Sequence, residues 1–122
     1  MNIFLLIAAG LSAGVCLIHT FLGGREIAVP LLQAADLAPV PKYVSYFCWH
    51  IVTIALAAIA AMFTFAAMRP DSLQLAWAAT GLSGAICLLG LAVPPMKKQT
   101  YAHMPQGWLF LPITVLGAIG VS

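Results

Sequence analysis

The fold class that this sequence predicts is an all-α polytopic membrane protein, a bundle of four transmembrane helices built as two similar hairpins. Three observations predict it. Of 122 residues, 63% are hydrophobic and only 7% charged, too little polar surface to coat a water-soluble core. The apolar residues fall into four runs separated by short polar or proline-bearing segments, and two of the runs share a sequence pattern.

Each run is measured against the roughly 20 residues that a helix rising ~1.5 Å per residue needs to cross ~30 Å of hydrocarbon. The first covers residues 3–23. It has no basic leader, extends far for a signal peptide and shows no A-x-A site, so it reads as a retained helix. The second, residues 43–68, is the longest. The third, residues 72–93, is entered through "MRPDS" and left through "PP". The fourth, residues 107–122, is short and carries Pro112; it spans if the Pro105 turn is included or the bilayer thins.

Orientation follows from the basic residues, which are retained in the cytoplasm. Arg25, Lys42, Lys97 and Lys98 follow the first and third helices, and Arg69 stands alone on the other side. The expectation is a bacterial inner-membrane protein with both termini outside and loops 24–42 and 94–106 cytoplasmic. The small positive charge is this topology signal and calls for no nucleic acid.

Helix association in lipid, within one chain or between chains, depends on small residues that let backbones approach, such as Gly10 and Gly14 in "GLSAG", Ala57 and Ala61, Gly81, Gly84 and Gly90, and Gly117 and Gly120. The repeat appears in "AAGLSAGVCLI" from Ala8 against "ATGLSGAICLL" from Ala79, and more weakly in "VTIALAAIA" from Val52 against "ITVLGAIG" from Ile113. Two hairpins related in this way share an axis along the membrane normal. The histidines are not repeated: Gly90 stands where His19 would recur, and Leu111 near where His50 would.

Ionisable groups inside a membrane are costly and mark candidate sites. His50 shares a helical stripe with Tyr43, Tyr46, Thr53, Ala57, Ala61 and Thr64, which reads as the inward face of its helix. His19 lies with Cys16, Ser12 and Ala9 on the first helix. Counted from the basic ends of their helices, His19 lies about 6 Å deep and Cys16 and His50 about 10 Å. His103 sits in the loop on the same side. The expected metal set is therefore His19, His50, Cys16, Glu26 and His103, and the expected cofactor site His19, His50 and Tyr46.

Imidazole and thiolate suit a metal ion, paired histidines suit haem, and a histidine beside tyrosines and a tryptophan suits a quinone or lipid head group. The spacing does not choose among them. The loop 24–42, with prolines at 30, 39 and 41, reads as an interfacial segment roofing this site after Gly23 and Gly24 end the first helix. There Arg25 would meet phosphate head groups. Cys16, Cys48 and Cys87 all lie in apolar runs, which argues against a disulfide scaffold. No nucleophile with a base, carboxylate pair or phosphate loop occurs, so no catalytic residue is expected. Two functions stay open: an oligomeric or accessory subunit of a membrane complex with a histidine-lined site, or a purely structural subunit or small transporter without a cofactor.

Overall fold

The computed structural model describes all 122 residues and is entirely helical, without strands. Helix α1 runs from Ile3–Gln33, α2 from Pro39–Met68, α3 from Leu73–Met96 and α4 from Gln106–Val121. Three helices are long and apolar enough to cross a membrane. At 16 residues, α4 reaches about 24 Å, short of a ~30 Å hydrocarbon core.

Helix α1 begins with a side-chain cap that also joins three elements. The Asn2 side chain accepts from Leu5 N–H at 3.2 Å and donates from Nδ2 to the Gly120 carbonyl at 2.7 Å. Its backbone N–H donates to the Ala67 carbonyl at 2.9 Å. One residue thus ties the start of α1 to the ends of α2 and α4.

The far end of α1 corrects the sequence reading. Gly23 and Gly24 do not stop the helix, and most of the expected loop 24–42 is helical. From Ile18–Ala28 the chain widens into a π-helix, visible where Val29 N–H reaches back five residues to the Gly24 carbonyl. A short α-helical turn, Val29–Gln33, completes it, with Pro30 in its first turn, where the missing N–H costs least. A mid-helix glycine costs about 1 kcal/mol. Ending the helix would leave backbone donors and acceptors to be paired elsewhere, and the helix continues through both glycines.

Helix α3 also runs past its expected end, through Pro94 and Pro95 to Met96. It closes on a Schellman turn: Lys98 adopts φ 55°, its N–H reaches Pro95 O, and Gln99 N–H reaches Pro94 O at 2.8 Å. Pro95 has no N–H for the Leu91 carbonyl, and the Tyr101 hydroxyl supplies the missing donor at 2.7 Å. Tyr101 is fixed in turn by an edge-to-face contact with Trp108.

The helices pack in a ring in which α1 and α3 each touch both α2 and α4. Burial repeats across it. Leu5, Ala8, Ala9 and Ser12 are buried in the first half of α1; Ala76, Ala79, Thr80 and Ser83, each 71 positions later, are buried in α3, and Ala28 of α1 and Cys87 and Pro94 of α3 are buried outside this match. In α2 and α4 the matching spacing is 54: Leu56, Ile59, Phe63 and Ala67 answer to Phe110, Ile113, Gly117 and Val121. Setting Val52 against Ile113 is therefore out by seven residues, about two helical turns. Apolar helices of similar composition tolerate such a slip until burial fixes the register.

The seams use fewer of the small residues than expected. A methyl group on Gly117 would meet the Thr80 hydroxyl and the Phe63 ring, and one on Gly120 would meet Leu5. A Cβ on Gly90 would come 2.5 Å from the Gly107 nitrogen, so α3 and α4 touch backbone to backbone there. Gly10 and Gly81 have open space and are exposed, as are Ala57 and Ala61, and half-buried Gly14 also has open space, so these five lie off the seams within the chain. Only 21 of 122 residues are buried, while Phe21, Phe47, Ile54 and Leu88 stand on the outside. That inverts the pattern of a protein folded in water and is the one lipid favours.

Candidate functional site

At the basic end of the α1–α2 hairpin lies a cleft of about 580 Å³. Its first wall is the π-helical stretch of α1, presenting Thr20, Phe21, Gly24 and Arg25, with Ala28, Val29 and Leu32 following. The wider π turn and the bare surface of Gly24 leave room between the helices. Its second wall is one stripe of α2: Tyr46, Trp49, His50 and Thr53, spaced three, four and seven residues apart.

Trp49 organises the floor. Its ring stacks on His19 with centroids 3.9 Å apart and planes inclined by 19°. Its outer edge fills the notch at Gly23, where a Cβ would lie only 2.7 Å from the indole Cη2. The Trp49 carbonyl accepts from His19 Nε2 and from the Thr53 hydroxyl, each at 3.2 Å. A carbonyl can only accept, so His19 carries its proton on Nε2. Below it the Cys16 thiol points to the Thr53 carbonyl at 3.8 Å, and the Thr20 hydroxyl returns to the Cys16 carbonyl at 2.8 Å. His19 and Cys16 are thus engaged in joining α1 to α2.

His50 departs from its expected place. It does not face inward toward the bundle axis; it is exposed and opens into the cleft beside half-buried Tyr46, whose ring meets it edge-on at 4.6 Å. The inward stripe of α2 runs through Trp49, Thr53, Leu56, Ile59 and Phe63, one position to the side. A polar stripe need not point to a bundle's centre where it lies close enough to the interface to reach polar surroundings.

The five expected metal ligands are not assembled, and no three of the chain's His, Cys, Asp and Glu residues are grouped to hold a metal ion. Exposed His103 pairs with the Thr100 hydroxyl at 3.0 Å in the loop after α3. Glu26 is exposed and is not among the cleft's lining residues. His19 and His50 do not face each other across a gap that haem could fill, since the His19 ring is covered by Trp49. Tyr46 and His50 do share one site, and Arg25 joins them as its sole charged lining residue.

Trp49, Gly23 and Thr20 were absent from the sequence-derived site. Trp49 could have been found from the spacing of Tyr46, Trp49, Thr53 and Leu56, the one stripe that stays half-buried or buried along α2. Comparison with protein-family models, curated proteins and solved structures finds no match to this chain.

Proposed function

We propose that this is an integral membrane protein in which all four helices cross the bilayer as two copies of one hairpin. In this reading α4 spans with help from its entry turn, and the basic end faces the cytoplasm. The α1–α2 cleft then lies at the inner interface and binds an amphiphile, a molecule with a polar head and an apolar tail such as a quinone or a lipid. One observation carries this reading: the cleft joins polar Arg25, Tyr46 and His50 to Phe21, which lies one turn before Arg25 and continues into exposed Leu17 and Ile18. A polar recess that opens onto an apolar helix surface suits a ligand that lies half in hydrocarbon and half among head groups.

Metal and haem fit less well. Arg25 repels a bare cation, and the nearest second imidazole is already bonded and stacked. The test is extraction of the protein purified in mild detergent, followed by mass analysis of what it carries. Wild type should carry about one amphiphile per chain, and Gly24→Trp, which fills the cleft from a position with open space, should carry none. Equal retention by both proteins would overturn the reading.

A further inference from the structure

The hydrogen-bonding state of the cleft's polar groups narrows the ligand. Thr20 and Thr53 have already given their hydroxyl protons to carbonyls of their own helices. The Arg25 guanidinium, the His50 ring and the Tyr46 hydroxyl make no hydrogen bond to other side chains or carbonyls of the chain, and all three line the cleft. Guanidinium has five donors and no acceptor, and phenol and imidazole each offer one more donor. No carboxylate lines the cleft to balance Arg25. Donors in excess, one fixed positive charge and no competing anion define a recess for an anionic acceptor.

The rest of the cleft limits which anion this is. Phe21, one turn before Arg25, supplies an apolar wall that continues toward the middle of α1 through exposed Leu17 and Ile18. A free anion would leave that wall bare, whereas a lipid covers it with an acyl chain. Lys42, Lys97 and Lys98 sit at the same end of the molecule and add to the attraction for an anionic leaflet.

Resting on the amphiphile reading above, we propose that the α1–α2 cleft holds a membrane lipid with an anionic phosphate head group. Arg25 takes two of its phosphate oxygens, Tyr46 and His50 donate to the remaining acceptors, and one chain lies along Phe21 and Ile18.

The experiment is native mass spectrometry of the full chain released from nanodiscs. The discs contain equal phosphatidylglycerol and phosphatidylcholine of the same chains, with a long-chain quinone added in a second series. Wild type should retain one phosphatidylglycerol with about tenfold preference over phosphatidylcholine. Arg25→Gln, at an exposed position, should reduce that preference to about twofold while the protein keeps its helical circular dichroism. Gly24→Phe should lose every bound molecule.

Equal retention of both lipids or of the quinone, unchanged in Arg25→Gln but lost in Gly24→Phe, would leave an amphiphile cleft and overturn the anionic assignment. Retention unaffected by Gly24→Phe would overturn both. Displacement of the lipid by millimolar inorganic phosphate would make this a site for the free anion and overturn the lipid assignment.

Discussion

The two hairpins follow one burial template and differ most at their basic ends. In α3–α4 the helices close on a glycine pair, Gly90 against Gly107, with backbone atoms in contact. At the corresponding positions of α1–α2, by the spacings of 71 and 54, stand His19 and Thr53, and both bond to the Trp49 carbonyl. Glycine on both sides brings helices together until no cleft remains. A histidine, a threonine and an intervening indole hold them apart, and the widened turns of α1 extend the gap. Of the two ends built on this template, the one without the glycine pair is the one that carries the candidate site.

The largest effect should come from forcing the closed end apart. Gly90→Leu or Gly107→Leu places a side chain where backbone already lies, so unfolding in mixed detergent should show a loss of about 3 kcal/mol or more. If either variant keeps wild-type stability, the glycine contact does not close that hairpin. A smaller loss is expected at the opposite end of the bundle. Asn2→Ala removes both a helix cap and the bond to the Gly120 carbonyl, worth about 1–2 kcal/mol together in the same unfolding assay. The smallest change belongs to Gly10→Ala, on an outward surface with open space, where stability should stay within about 0.5 kcal/mol of wild type. A marked loss there would mean that this face is covered by something other than lipid.

The same comparison explains what could be read from the sequence. Hydropathy placed the second, third and fourth helices to within a few residues, because their apolar runs are bounded by prolines and polar residues, where helices start and stop. Gly23 and Gly24 misled for the opposite reason. In water a glycine pair beside Arg25 is a good stop signal, but here the helix continues and Trp49 occupies the space that Gly23 leaves. The repeat in the first and third helices was legible because Gly-Leu-Ser and a cysteine recur without a gap. The second and fourth share only a small apolar alphabet, so their register emerged only from burial.

The candidate site was legible in its chemistry but less so in its geometry. Tyr46 and His50 do share a recess, and Arg25 lines it with them. His19 and Cys16 came out as helix-joining residues, because a sequence does not reveal which polar side chain is already committed to a neighbouring carbonyl. Trp49 was seen beside the histidine but not placed in the site, since a sequence does not show that its ring stacks on His19.

The central claim is that the open hairpin takes up an amphiphile and the closed one does not. Its most direct test is photo-crosslinking in nanodiscs with a phosphatidylglycerol carrying a diazirine high on one acyl chain, followed by peptide mapping. Adducts should concentrate at Leu17, Ile18 and Phe21 of α1 and near His50 of α2, and should disappear in Gly24→Phe. Adducts spread evenly over both hairpins, and unchanged in Gly24→Phe, would mean that lipid merely surrounds the protein and that the cleft is no binding site.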